Sequence, residues 1–334
     1  MSSENPFVSI QELSAGYFAS RSLHAVAELG IADALGDAPM TVEALAAATN
    51  ANADALGRIL RLLQSYGVFN LEDGAVTHSA ASLLLRSDHP RSLRDFTRMF
   101  ALAVNWRSAE LLPDTVKTGE PAGPRAFDGG FWGHLARHPE EARVFDAAMK
   151  AKAHAQVGAV MATYDFCGFR HIVDIGGGQG HLIRAILRRC PEARGTLFDL
   201  PHVVEAARAA GDEGGRLTFQ GGDFFKDQLP AADAYILMEV IHDWADAPAE
   251  NILRTLKASA PPRARLVLIE TEVPEGPGRD WAKTLDIVML TLFAARQRTA
   301  EQYRSLLETQ GFELQRRIDS GAGISLFEAE LRSA

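Results

Sequence analysis

The sequence predicts an α/β protein: a doubly wound parallel sheet in the C-terminal half, preceded by an α-helical domain of winged-helix type. Three observations predict it. From residue 170 onward short apolar runs (HIVDIG, GTLFDL, RLTFQGGD, ADAYILMEV and RARLVLIE) alternate with helical stretches, the rhythm of a parallel sheet covered on both faces. Before residue 80, three helical segments are followed by a strand, an Asp-Gly turn and a second strand. Between these halves and the sheet's first helix lies VDIGGGQG at 173–180, a glycine-rich turn at the end of the first strand. Ligands of such sheets gather outside the carboxyl ends of the strands.

The elements follow in order. A chain of 334 residues can bury more than one core. In its first part Leu13, Phe18, Leu23, Val26, Ile31 and Leu35 recur at near-helical spacing. Thr41 is placed to cap a short alanine-rich helix, and ADALGRILRLLQSYG forms a third helix that stops at Gly67. VFNLEDGAVTHS is the hairpin. Residues 91–165 read as helical, broken by a loop at 117–130 and ending in one long helix. Two helices around 280–293 and 299–310 follow the fifth strand, and FELQRRI and GISLFEAE pair as a hairpin on the sheet edge. The expected domains are therefore 1–95 (winged helix), 96–165 (helical connector lining a substrate) and 166–334 (ligand-binding sheet).

Composition narrows the function. With 47% apolar and 23% charged residues the chain is an ordinary globular protein. A net charge of −9 disfavours binding to nucleic acid, and the third helix carries only Arg58 and Arg61 as basic residues. MSSENPFVSI lacks a basic, then apolar, leader, and no apolar run approaches the length of a membrane span. Cys167 and Cys190, the only cysteines, read as reduced thiols of a cytoplasmic protein and supply no metal cluster.

The strand ends define a ligand. A dinucleotide loop needs G-x-G-x-x-G, but position 181 is His181 and the third glycine falls at Gly180; no Gly-Lys-Ser/Thr follows either. The pattern is D-x-G-x-G-x-G. Gly176, Gly178 and Gly180 let backbone N–H groups and a helix N-terminus approach an anionic group. Asp199, ending the second strand, suits the two hydroxyls of a ribose, or is a helix cap. Asp223 suits a nucleobase amine with Phe224 over the ring, or closes an ordinary Gly-Asp turn. Together they outline a nucleoside with a charged tail. Asp174 has the wrong sign for a pyrophosphate but suits an ammonium, so the loop is expected to hold the methionine tail of S-adenosylmethionine. At the fourth strand end stands EVIHDWAD, with His242 among Asp243, Trp244 and Asp246; the fifth delivers Glu270. An imidazole backed by a carboxylate is an oriented general base.

These motifs, with LRLLQSYGVF, LFDLPHV, GDFF and RT…LLETQGF in this order, cover nearly the whole chain. The sequence resembles the caffeic acid/hydroxyindole-type S-adenosylmethionine-dependent O-methyltransferases, in particular bacterial members of secondary metabolism and antibiotic biosynthesis. The resemblance implies a Rossmann-like methyltransferase sheet behind a winged-helix dimerisation domain, and hence a homodimer. It implies in-line methyl transfer to a hydroxyl of a small aromatic or polyketide-like metabolite, with S-adenosyl-L-methionine as cofactor and S-adenosyl-L-homocysteine as product. His242 takes the hydroxyl proton and Glu270 orients it. Asp174, Gly176, Gly178, Asp199, Leu200, Asp223, Phe224 and Met238 form the cofactor site.

Two positions depart from the family pattern. Gln297 stands where many relatives have a second glutamate beside the histidine, and Met238 where many have a lysine near the adenine. The acceptor is expected against Asn105, Trp106, Phe145, Met149, Asp286 and Met289, each of which has core packing as its plain alternative. No metal is implied, because the histidine fills the role that magnesium plays in catechol-type enzymes; His134 and His138 read as surface residues rather than ligands. Three rival readings are a same-fold enzyme of altered chemistry (hydroxylase or decarboxylase), a ligand-sensing winged-helix regulator, and an N-methyltransferase.

Overall fold

The computed structural model describes residues 5–332. Residues 1–4, on which part of the leader reading rests, lie outside the described residues. The chain divides into two compact units. One holds the chain up to Arg107 together with Trp132–Lys152; the other holds Ser108–Phe131 and the chain from Ala153 onward.

In the first unit the expected N-terminal helical stretch is three helices: α1 (Pro6–Ala15), α2 (Tyr17–Glu28) and α3 (Ile31–Leu35). The second break falls at Gly30, whose φ of 65° lies in the left-handed region that side chains resist. Thr41 caps α4 (Val42–Ala48) as its sequence position suggests, accepting from Ala44 N at 3.2 Å. Helix α5 (Ala53–Gln64) buries Leu56, Leu60 and Leu63 on one face. The hairpin forms from β2 (Asn70–Glu72) and β3 (Ala75–Thr77), turning at Asp73 and Gly74, both with positive φ, as a tight hairpin requires. A short β1 (Met40–Thr41), not foreseen, adds to β3 as a third strand. Leu45, Leu60, Leu63, Phe69 and Val76 close the core.

The second unit is the sheet. Its strands are β4 (His171–Ile175), β5 (Arg194–Asp199), β6 (Leu217–Gly221), β7 (Ala234–Met238), β8 (Arg265–Glu270), β9 (Phe312–Asp319) and β10 (Ser325–Leu331). Their order is β6-β5-β4-β7-β8-β10-β9. The first five run parallel, and β10 lies antiparallel to both β8 and β9, so the terminal hairpin does extend the sheet edge. Successive residues of a strand face opposite ways. Ile172, Ile236 and Val267 enter one core, while Val173, Tyr235 and Leu268 enter the other. Strands buried on both sides explain why these runs are continuously apolar. The strand order reverses between β4 and β7, which puts the ligand crevice above their carboxyl ends.

Two expectations are corrected. The connector expected at 96–165 is not separate: the helix Pro139–Thr163 is divided between the units, and residues 108–131 join the sheet unit. There Ala122 N donates to Thr291 O at 2.8 Å, and Gly123 packs so closely on Leu292 that a Cβ would come within 2.5 Å of its carbonyl oxygen. Such backbone contact fixes the segment where pattern alone shows only a loop. The cysteines, expected as free thiols, form a disulfide, Cys167–Cys190, which ties the turn before β4 to the end of the helix His181–Arg189. Among the described residues no helix is long and apolar enough to cross a membrane.

The disulfide closes a loop with a sequence separation of 23. Loop-closure entropy of that size is worth roughly 3 kcal/mol. Denaturant unfolding of Cys167→Ser, or of the wild type under thiol reductant, is expected to show a stability loss of that order. Two titratable thiols in untreated native protein would contradict it.

Candidate active site

The cofactor end of the crevice is built mainly from backbone. Gly176, Gly178 and Gly180 have φ of 68°, 58° and 74°, a run of conformations that only glycine takes without strain. A Cβ on Gly176 would stand 2.9 Å from Val240 Cγ2 and 3.7 Å from the Phe224 ring. At Gly178 nothing lies within 4 Å of a Cβ position, so the loop is open there. Gly180 is the N-cap of the helix His181–Arg189, whose first turn carries no acid. Its free amides and positive dipole end suit a carboxylate. Asp199 holds the loop from the next strand: Oδ2 accepts from Gly178 N at 2.9 Å and Oδ1 from Leu200 N at 2.7 Å. Leu200 itself is exposed, and Met238 is half-buried at the end of β7.

Two acids sit differently from expectation. Asp174 was expected to meet the tail ammonium, but it is 1% exposed and lies beneath the loop. A Cβ on Gly177 would come within 2.6 Å of both its carboxylate and Leu197. Burial lifts the Asp174 carboxyl to about 7, against the pull of the Ile183 backbone amide. Enclosed this way, it packs against the loop at Gly177. Asp223 is half-exposed and tied to its own turn: Oδ1 accepts from Phe225 N at 2.9 Å and Oδ2 pairs with Lys226 at 2.9 Å, which holds the carboxyl below its usual range. Phe224 packs edge-on against Phe225 and Trp244 beside Gly176.

His242 lies on the 3₁₀ turn Ile241–Asp243 that follows β7. His242 is 7% exposed. Its Nδ1 stands 3.3 Å from Glu270 Oε2 and 3.1 Å from the Gln297 amide; its Nε2 is 3.3 Å from Asp243 Oδ1. Glu270, fully buried at the end of β8, also accepts from Val240 N at 3.2 Å and Ile241 N at 2.8 Å through Oε1. Thus β7 delivers the ring and its neighbour β8 the carboxylate, one strand apart. Burial pushes the His242 imidazole down, but Glu270, the Asp243 hydrogen bond and Glu239 outweigh it and raise the pKa to about 9. Burial also raises Glu270, to about 7, against the pull of the histidine.

Sequence reasoning missed three groups here. Glu239 has a φ of 52°, uncommon for a non-glycine residue, and accepts from Thr271 Oγ1 at 3.3 Å. Asp243 was noted only as a neighbour, yet it faces Nε2. Arg298 is buried against the turn. The E-V-I-H-D-W-A-D motif carried the two acids in plain sight; Arg298 stood only as the first residue of RT…LLETQGF, because its contacts are more than fifty residues away in sequence.

Of the expected acceptor-lining residues, Asp286 and Met289 belong to the sheet unit. Asp286 Oδ1 accepts from Gln297 N at 2.9 Å, so it holds the residue that touches the imidazole, and Met289 is buried. Asn105, Trp106, Phe145 and Met149 belong to the other unit. There Asn105 Nδ2 donates to Met99 O at 2.8 Å and Trp106 Nε1 to Phe100 O at 3.1 Å. Phe145 meets Trp132 edge-on at 5.5 Å, and Met149 is half-buried. His134 is not a surface residue: it is 4% exposed, 3.0 Å from Glu141 and stacked on His138 at 4.0 Å.

Comparison with known proteins bears on this geometry directly. The O-methyltransferase domain matches residues 110–313, and the O-methyltransferase dimerisation domain matches residues 11–87. The chain belongs to the O-methyltransferase family. It is 41% identical over 318 residues to the phenazine O-methyltransferase of Lysobacter antibioticus, covering 94% of this chain and 93% of that one. It is 35% identical over 321 residues to the mitomycin biosynthesis 6-O-methyltransferase of Streptomyces lavendulae, covering 94% and 91%. Among solved structures, the S-adenosylhomocysteine-bound methyltransferase of calicheamicin biosynthesis superposes with a TM-score of 0.90 at 28% identity over the whole of both chains.

This O-methyltransferase uses S-adenosylmethionine, and its own residues fit that cofactor. The three left-handed glycines form a cradle that a Cβ would fill, and the acid-free helix start beside them suits a carboxylate. Gly176→Ala is expected to weaken S-adenosylhomocysteine binding at least tenfold by calorimetry, since a side chain at left-handed φ costs about 1–2 kcal/mol before any clash with Val240. Undiminished affinity would show that the loop does not carry the cofactor.

Proposed function

We propose that the enzyme methylates a phenolic hydroxyl of a small aromatic metabolite, and that His242 removes the hydroxyl proton through Nε2. The observation that carries this reading is the pair of buried acceptors around Nδ1. Among the described residues Gln297 Oε1 lacks a hydrogen-bond donor, and Glu270 Oε2 has only the His242 Nδ1 position, at 3.3 Å, to supply one. A proton on Nδ1 satisfies Glu270, and a half-turn of the Gln297 amide brings its oxygen to the same nitrogen. A neutral imidazole with its proton on Nδ1 has a bare Nε2, the form a general base needs.

Magnitudes favour the same assignment. Passing a proton from a phenol of pKa about 10 to an ordinary imidazole costs roughly 5 kcal/mol. With the His242 pKa raised to about 9 the gap falls to roughly 1.4 kcal/mol. The raised value has a counterpart, because below pH 9 Nε2 is mostly protonated and held by Asp243. Gln297, being uncharged, adds no further pull. S-adenosylmethionine, when bound, supplies a methyl group on a positively charged sulfur. The chain's part is to orient the acceptor oxygen and take its proton.

The relatives named for phenazine methylation and mitomycin biosynthesis support a small aromatic acceptor from secondary metabolism. The dimerisation-domain match supports a homodimer. So does an exposed apolar row on α1 and α2: Phe7, Ile10, Leu13, Tyr17 and Phe18 are 52–74% exposed. Leu13→Asp is expected to shift the sedimentation coefficient toward that of a single chain; wild-type protein that already sediments as a monomer would end the dimer reading.

His242→Ala is expected to leave S-adenosylhomocysteine affinity unchanged and to lower methyl transfer by ~10²–10⁴-fold. The assay is mass spectrometry of hydroxyphenazines and hydroxynaphthoic acids, scored for the gain of one methyl. Because the base acts only when neutral, the wild-type rate is expected to climb with pH through the His242 pKa and level off above about 9. An alanine variant as fast as wild type on a non-acidic phenol would remove the role.

A further inference from the structure

Arg298 is the largest fully buried side chain, 1% exposed. Its guanidinium reaches the base turn from both ends. Nη1 donates to Ile241 O at 3.1 Å, one residue before His242, and Nη2 to Trp244 O at 3.0 Å, two residues after it. Nε and Nη2 both donate to Asp246 Oδ1, at 3.2 and 2.7 Å. The arginine's own backbone is anchored beyond β8, where its carbonyl accepts from Val273 N at 2.9 Å. Its neighbours grip the same turn: Arg296 N donates to His242 O at 3.2 Å, and Gln297 touches the ring.

The polar backbone groups of the turn are therefore divided between two buried ions. The carboxylate of Glu270 takes the amides of Val240 and Ile241, and the guanidinium of Arg298 takes the carbonyls of Ile241 and Trp244. A fully buried cation is costly to desolvate, and its one carboxylate, Asp246, is 58% exposed at the side chain. A surface ion pair does not repay that cost. What a guanidinium offers in exchange is a rigid plane of five donors that fixes several carbonyls at once, which a lysine cannot do.

We infer that Arg298 is a positioning residue for His242: by bracketing the turn it keeps Nδ1 against Glu270 and Gln297 and so holds the imidazole in its base-competent tautomer. The inference rests on the reading of His242 as the base. The groups that face the ring are Glu239 at the end of β7, Asp243 on the turn, Glu270 on β8 and the Gln297 amide, with Arg298 behind the backbone. Loosening the turn increases the Nδ1–Glu270 distance while Asp243 travels with the ring, so tautomer and titration report on the clamp.

The test is ¹⁵N-imidazole NMR of the full-length protein saturated with S-adenosylhomocysteine, with the His242 signals assigned by their loss in His242→Ala. Wild type is expected to show a single Nδ1–H tautomer and a raised midpoint. Arg298→Lys, which keeps the charge but loses the plane, is expected to mix the tautomers and lower the midpoint by at least one pH unit, with S-adenosylhomocysteine affinity within twofold of wild type. Arg298→Lys that moves neither tautomer nor midpoint overturns the inference. Should that variant not fold, Asp246→Asn keeps the guanidinium, removes its carboxylate and carries the same expectation in smaller measure; an unmoved ring there overturns it equally. In methyl-transfer assays Arg298→Lys is expected to lower kcat about tenfold or more with KM unchanged, and to cause no further loss in the His242→Ala background. Equal losses in both backgrounds would show that Arg298 acts elsewhere. Failure of the base reading itself is separate, since it appears as full activity of His242→Ala alone.

Discussion

One buried carboxylate organises the catalytic end of this protein. Glu270 has no exposed surface, yet it serves two neighbours at once: one oxygen binds the amides of Val240 and Ile241, and the other faces the imidazole of His242. The first task fixes where the turn leaves β7. The second sets the basicity of the ring that turn carries. Because β7 and β8 are adjacent and parallel, with Met238 beside Ile269, their carboxyl ends coincide, and the two tasks fall to a single side chain. Strand pairing thus sets the distance between base and carboxylate before any side chain chooses a rotamer.

The cofactor end follows the same logic with backbone in place of side chains. Strand β4 ends in three left-handed glycines, and β5 ends in Asp199, which binds the loop through Gly178 N. Beneath them Asp174 is sealed off and made less acidic by burial. With its pKa near 7 that carboxyl is about half ionised at neutral pH, and at 1% exposed it is shielded from solvent. Its value is volume and position: it fills the space that Gly177 leaves open, so the glycine and the acid have to be read together. The acid in D-x-G-x-G-x-G was legible as a motif member, whereas its role depends on which side of the loop it occupies.

Much of the fold could be read from period and punctuation. Five apolar runs became β4 to β8, the last two runs became the edge hairpin, and Thr41 became a helix cap, because each depends on local spacing or local hydrogen bonding. The meeting of His242 and Glu270 was legible too, since strand-end placement follows once the strands are known. What escaped depended on distant partners. The β1 strand is two residues long and exists through β3. Residues 108–131 join the sheet unit through Ala122 and Gly123 against the helix Trp281–Leu292. Cys167 and Cys190 lie far enough apart in sequence that no motif pairs them, and an expectation based on compartment pointed the other way. Asp286 was placed on the acceptor and is found holding Gln297.

The departure at Gln297 acquires a physical meaning in this setting. His242 already has Glu270, Asp243 and Glu239 acting on it, all raising its affinity for a proton. A fourth carboxylate at position 297 would lie against the same nitrogen as Glu270, and two buried like charges around one imidazole would either bind another proton or hold the ring as a cation still more firmly. A ring held more firmly as a cation has a smaller neutral fraction at any given pH. The amide keeps a hydrogen bond to Nδ1 while adding no charge, and its backbone, fixed by Asp286, keeps it in range. The substitution therefore limits the basicity that the other three acids create. It leaves a ring with a pKa of about 9, roughly one unit below an ordinary phenol.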